Sequence, residues 1–243
     1  MTGGPEGAGR ELERAMGVMN DKTAGGLHLG THMPVIHPGN ALDKVIATVL
    51  LVSCAPLMAL TAAIVAGTVG APLLFRQMRA GQDMTEFPIS KFRTMKELRD
   101  IDGVLLSDDQ RQTRLTAALR RLRFDELPQL LAVWRGDMAF VGPRPLLLQT
   151  ILDFGEIGRL RCSVPPGMTG WAQVNGNTRL TNRQKLALDI WYIDNRSLRL
   201  DLLILLLTAK TLVFGEHVNA GRLETAEAHF SRRCAALGAT GQE

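Results

Sequence analysis

Two adjacent carboxylates, Asp125 and Glu126, stand in the run richest in reactive side chains, RRLRFDELPQLLAVWRGDMAFVGPRP, residues 120–145 of a 243-residue chain. Pro128 suits the first turn of a helix and restricts Leu127 before it, while Gly136 can close that helix, so the pattern predicts a helix over about 128–135. Both carboxylates then fall at its N-terminal mouth. Unpaired N–H groups and the helix dipole favour anions there and keep a carboxylate ionised near neutral pH. An ionised Asp beside a second carboxylate can act as a nucleophile or hold Mg²⁺ through hard oxygens, and the neighbouring arginines would neutralise phosphate oxygens. The same pattern equally suits an Asp125 that only caps the helix.

Downstream, Gly142-Pro143-Arg144-Pro145 fixes the backbone on both sides of one arginine, which pre-organises it for bidentate phosphate contact or makes a plain rigid turn. The turn-dense PPGMTGWAQVNGN, residues 165–177, offers Trp171, Gln173 and Asn175 to a base or sugar; a buried Trp anchoring a loop fits as well. Asp189 and Tyr192 are further candidates to line a site, with ordinary core roles equally open.

The elements that must position these groups are partly legible. LLFRQMRAGQ and EFPISKFRTM read as two extended stretches around a polar turn. From about Ser107 a helical pattern carries Leu115, Leu119 and Leu122 among Arg111, Arg114, Arg120, Arg121 and Arg123. That basic face suits solvent or anionic inner-leaflet lipids. Between Lys44 and Arg76 lie 31 residues without a charge. About 20 apolar residues cross a bilayer core, and a small domain has little means of covering 31, so the segment is expected in a membrane. Pro56 follows an arm of roughly 16 Å, half the core thickness, and predicts a bend. A kinked spanning helix and a re-entrant hairpin both satisfy this. The basic residues that follow, from Arg76 to Arg99, place the rest of the chain in the cytoplasm by the positive-inside rule.

Lys and Arg total 28 against 24 Asp and Glu, a formal +4 that admits nucleotides, phospholipids or nucleic acid as partners. At 46% hydrophobic residues, wholesale disorder is excluded. Cys54, Cys162 and Cys234 are odd in number and far apart, which excludes a disulfide scaffold and a CxxC zinc site. Residues 1–38 are Gly-rich, lack a secretory h-region and read as a flexible tail. His28, His32 and His37 cluster there with nothing to complete a metal site. LALDIWYIDNRSLRLDLLILLLTAKTLVFG, residues 186–215, has eight uncharged residues between Asp201 and Lys210, far short of a span, and reads as a buried or interfacial helix. Residues 216–243 read as a variable tail.

Together, the apolar Pro-containing segment, Lys91-Phe92-Arg93-Thr94-Met95, Asp125-Glu126-Leu127-Pro128-Gln129-Leu130, Gly136-Asp137-Met138, Val141-Gly142-Pro143-Arg144-Pro145 and Pro166-Gly167-Met168-Thr169-Gly170-Trp171-Ala172-Gln173-Val174 resemble the bacterial sugar transferase family, the monotopic polyprenyl-phosphate phosphoglycosyl transferases. The resemblance runs over about residues 41–215. It implies transfer of a sugar 1-phosphate from a UDP-sugar to polyprenyl phosphate, with UMP released, as the first membrane step of glycan assembly. By the same resemblance Asp125 is the nucleophile that forms an aspartyl phosphosugar and Glu126 helps hold Mg²⁺. Arg120, Arg144 and Arg93 would bind phosphate, with Trp171 and Gln173 beside the nucleotide.

The implied fold is α+β and mostly helical: a membrane-inserted re-entrant hairpin over 39–75 bent at Pro56, a cytoplasmic catalytic domain over 76–215 at the inner membrane, and interfacial helices. A homodimer is open, and no nucleic acid is called for. Two positions depart from the pattern: Ala55-Pro56 where Ser-Pro is common, and Arg123-Phe124 where a Ser and an apolar residue are usual. A non-catalytic membrane scaffold and a Mg²⁺-dependent phosphodiesterase are the alternatives.

Overall fold

The computed structural model describes residues 38–237, so the His28, His32 and His37 cluster and the expected N-terminal tail up to residue 37 lie outside the described residues. A first helix, α1 (Pro38–Thr68), is apolar and long enough to cross a membrane. It continues through Pro56, so one unbroken helix stands where a bent hairpin was expected. The Ser53 hydroxyl donates to the Leu50 carbonyl rather than to the carbonyl of Val52, whose helical partner Pro56 removes. Thr48, Thr61 and Thr68 likewise turn their hydroxyls onto carbonyls four residues back, which hides their polarity along an apolar helix.

Both halves of α1 dock on the rest of the chain. Ala47 packs with Phe87, Ala132, Val133 and Met138, and Val65 packs with Phe92 and Leu119. These two residues are about 27 Å apart along a helix. Between and beside them Val45, Val49, Val52 and Leu60 are exposed.

The two extended stretches form the antiparallel pair β1 (Leu74–Ala80) and β2 (Glu86–Phe92), in register from Leu74 opposite Phe92 to Ala80 opposite Glu86. The helical pattern after Ser107 divides into α2 (Asp108–Arg111) and α3 (Arg114–Arg121) because Thr113 caps the second piece, accepting from the Thr116 amide. A 3₁₀ turn over Phe124–Gln129 leads into α4 (Leu130–Arg135), which Gly136 closes at φ 94°. The predicted helix is therefore preceded by a tighter turn that already includes Asp125 and Glu126.

β3 (Ala139–Val141) pairs in parallel with β4 (Gly167–Thr169) across α5 (Leu148–Asp153) and α6 (Gly155–Arg161). α7 (Trp171–Val174), α8 (Asn182–Asp194), α9 (Leu198–Phe214) and α10 (Ala220–Ala236) follow. The core gathers on α8: Leu188 and Tyr192 pack with Ile204, Leu223 and Ala226, while Ala187 and Ile190 pack with Ile157 and Phe230. The segment read as a variable tail thus contains a helix that buries Leu223, Ala226 and Phe230. Tyr192 belongs to this core, its hydroxyl donating to Asp201 at 2.7 Å. Of α9 only Ile204 is fully buried, and Leu202, Leu206, Val213 and Phe214 are exposed.

Candidate active site

The 3₁₀ turn packs against β2 and the end of α3, and this sets Asp125 beside Lys91 and Arg120 in the wall of a cavity of about 720 Å³. Arg123, just before the turn, takes a left-handed backbone at φ 59°. Such a conformation costs a non-glycine residue about 1 kcal/mol or more and must be held by its contacts. Arg123 has two carboxylate partners, Glu126 at 3.3 Å and Glu216 at 3.7 Å. Glu126 also receives Arg144 at 3.3 Å. A charge ladder Glu216, Arg123, Glu126, Arg144 therefore runs beside the nucleophile candidate.

Asp125 is buried, 7% exposed, and its carboxyl is pushed up from 3.8 to about 6. Burial is the main cause and the adjacent Glu126 charge adds to it, while Lys91 and Arg120 oppose. The helix-mouth reasoning expects a carboxylate that stays ionised near neutral pH. Desolvation and a like charge outweigh the dipole of a short turn, although a group titrating near 6 is still mostly ionised at neutral pH. Burial also pushes the Lys91 ammonium down, with Asp125 opposing that shift.

The facing wall is built by two crossing loops. A Cβ on Gly142 would lie 2.5 Å from the Pro165 carbonyl oxygen, so the segment Val141–Pro145 can meet the loop before β4 only through glycine. The Arg144 carbonyl accepts from Arg161 at 2.6 Å, and Arg161 donates through Nε to Asp189 at 2.8 Å, a pair some 5% exposed on both sides. This buried pair anchors the Pro-Arg-Pro turn from behind, leaving the half-exposed Arg144 guanidinium to reach Glu126.

Of the residues singled out from sequence, Asp125, Glu126, Arg120, Arg144, Gln173 and Asp189 line this one cavity. Arg93 is placed elsewhere: its Nη2 donates to the carbonyls of Gly70 and Ala71 and clamps the chain leaving α1. Trp171 is core, stacked on Trp191 at 5.3 Å with Arg222 over its ring at 4.8 Å. Asn175 is fully buried and donates to the Trp171 carbonyl, so it holds the loop. Three site residues escaped sequence reasoning. Lys91 arrives by strand pairing, Arg161 through its bond to Asp189, and Glu216 by bonding Asn177 and Thr178 across the cavity rim. Only Lys91 had a local signal, as the first residue of the KFRTM motif.

No cluster of three or more His, Cys, Asp or Glu suited to a metal occurs among the described residues. Two adjacent carboxylates are what a Mg²⁺ ion needs when substrate phosphates complete its shell. Glu126 could supply such an ion with carboxylate oxygen while phosphate oxygens complete its shell.

Sequence comparison finds a matching family and several relatives. A profile described as bacterial sugar transferase matches residues 38–215. The uncharacterized sugar transferase EpsL of Bacillus subtilis (strain 168) is 42% identical over 182 residues, covering 74% of this chain and 90% of that protein. A UDP-glucose:undecaprenyl-phosphate glucose-1-phosphate transferase of Caulobacter vibrioides is 41% identical, covering 71% of this chain and 68% of its own length. An undecaprenyl-phosphate glucose phosphotransferase of Komagataeibacter xylinus is 38% identical over 73% of this chain but only 36% of that protein, so this chain spans about a third of that relative. Because the match takes in the acidic turn, the Pro-Arg-Pro loop and the apolar first helix in one continuous stretch, the chain belongs to the bacterial sugar transferase family.

Proposed function

We propose that the chain transfers a sugar 1-phosphate from a UDP-sugar to undecaprenyl or a related polyprenyl phosphate in two displacements at phosphorus, with Asp125 the nucleophile of the first and the leaving group of the second. The observation that carries this is a buried carboxylate titrating near 6 in the wall of a 720 Å³ cavity whose other lining includes Lys91, Arg120 and Arg144. An Asp125 oxygen attacks the sugar-bearing phosphorus, the bond to the bridging oxygen breaks, and UMP leaves with that oxygen. A phosphate oxygen of the polyprenyl acceptor then attacks the same phosphorus and frees the carboxylate, giving a polyprenyl diphosphate sugar. Splitting one transfer between two bulky substrates in this way predicts ping-pong kinetics.

Arg120 and Arg144 neutralise diphosphate oxygens, and Lys91 keeps Asp125 ionised despite its burial. Gln173 borders the same space with both amide atoms buried and unpaired, which suits a nucleotide or sugar hydrogen bond. Glu126, oriented by Arg123 and Arg144, is the residue to share Mg²⁺ with the substrate. When bound, that ion neutralises the diphosphate and the departing UMP.

The packing of α1 supports a one-leaflet membrane arrangement. A helix with Ala47 and Val65 both packed on one domain, about 27 Å apart, cannot also carry one of those ends to the far side of a bilayer. α1 therefore stays in one leaflet with its exposed flank in lipid, and the exposed face of α9 and Trp134 of α4 lie at the same interface. By the positive-inside argument that leaflet is the cytoplasmic face of the inner membrane.

Purified protein with Mg²⁺ and a panel of UDP-sugars, beginning with UDP-glucose, tests the reaction. UMP release that requires undecaprenyl phosphate for turnover, together with a sugar-phosphate adduct lost in Asp125→Asn, is expected. Steady UMP release with water as acceptor would make the protein a phosphodiesterase, and adduct formation by Asp125→Asn would remove Asp125 as nucleophile.

A further inference from the structure

An apolar groove of about 290 Å³ opens beside the catalytic cavity. Leu50 and Cys54 of α1 and Leu205 and Thr208 of α9 line it, with Leu130 and Met168. Arg123, Glu126 and Gln173 line both spaces, so the groove meets the cavity at Glu126, next to Asp125. Among the described residues Arg123 is the one arginine common to both linings. Its contacts to Glu126 and Glu216, at 3.3 and 3.7 Å, are longer than the 2.7–2.9 Å of a good charge-assisted bond, which leaves the guanidinium with capacity for a phosphate beside them.

An apolar slot ending on a guanidinium next to a nucleophile selects a phosphorylated amphiphile. A free sugar phosphate leaves the slot bare, and a neutral hydrocarbon leaves Arg123 with its carboxylates. On the transferase reading, we infer that this groove seats the phosphate-proximal isoprene units of the acceptor and that Arg123 takes the acceptor phosphate, a role separate from that of Arg120 and Arg144 on the donor. At about 30 Å³ per water-sized group the groove holds roughly ten such groups, or about two five-carbon units. The remainder of the chain leaves past Leu50 and Cys54 along the exposed flank of α1 into lipid.

The full chain in nanodiscs provides the test. Cys54 in the groove is a built-in reporter, with Cys162 and Cys234 as internal references. Undecaprenyl phosphate is expected to slow alkylation of Cys54 by N-ethylmaleimide at least fivefold and leave Cys234 unchanged. Leu205→Trp and Leu50→Trp, which fill the groove from opposite helices, are expected to raise the acceptor KM tenfold or more while adduct formation from the UDP-sugar stays within threefold. Arg123→Gln is expected to raise the acceptor KM tenfold or more and to raise it further than the donor KM, since Glu126 keeps Arg144 as a partner, and Arg123→Lys to recover part of the loss. Equal protection of Cys54 by phosphatidylglycerol, unchanged acceptor kinetics in both Trp variants, or donor and acceptor steps falling together would overturn the assignment. No adduct from any UDP-sugar in the unsubstituted protein would defeat the transferase reading itself, whereas an unprotected Cys54 with intact turnover defeats the groove alone.

Discussion

Asp125 carries a conflict between stability and chemistry. Its folded-state pKa, about 6, lies above the ordinary 3.8, so the folded protein binds the proton more tightly than the unfolded chain does. The resulting stability is fully present below about pH 4 and lost as pH rises through 6. At pH 7.5 the ionised carboxylate is thus a standing cost, and Asp125→Asn should stabilise the metal-free protein by about 1–3 kcal/mol, a gain that vanishes toward pH 4 in thermal melts. The same titration governs reactivity. Single-turnover adduct formation should fall about tenfold per pH unit below 6, and a rate that stays flat down to pH 5 would show that the attacking group is not this carboxylate.

Arg161 and Asp189 work at the scale of elements, joining α6 to α8 and holding the carbonyl of Arg144. Removing one partner leaves a charge buried, so Asp189→Asn should cost about 3–5 kcal/mol by denaturant melts; restoration of stability by the double variant Arg161→Met, Asp189→Leu would fit, since two apolar groups need no partner. α10 supports the same region from outside: Phe230→Ala should cost about 3–5 kcal/mol, although the residue lies in a segment that reads from sequence as a tail. A loss below about 1 kcal/mol would mean that Phe230 contributes little to this core. The extended pair and the Gly136 cap were legible because they depend on residues close in sequence. The division at Thr113 and the 3₁₀ turn were not, since capping and β2 packing decide them.

For the whole molecule, the proposed membrane contact rests on the exposed apolar side chains of α1, α4 and α9. Leu206 and Val213 of α9 are about 70% exposed, so glutamates there should leave the melting temperature within a few degrees. They should nonetheless weaken association with anionic vesicles and lower lipid-dependent turnover, as read by flotation and UMP release. Unchanged turnover in vesicles would place α9 away from the bilayer. Modification of engineered cysteines at both ends of α1 from the cytoplasmic side alone would support a one-leaflet helix, and labelling of opposite ends from opposite sides would establish a span.

The acidic pair, the proline-locked arginine and the uncharged stretch each declare their chemistry through neighbours a few residues away, and those local rules raise a phosphate-handling site at a membrane as an expectation beside a helix cap and a rigid turn. What they could not supply was partnership across the chain. Arg93 and Trp171 look reactive in sequence yet serve the loop after α1 and the core, while Lys91, Arg161 and Glu216 reach the cavity by strand pairing or by bonds spanning 28 to 39 residues. Burial and the company of other charges depend on which distant segments close around a side chain, so the carboxyl that the helix end would have kept low is raised to about 6 only once the cavity forms.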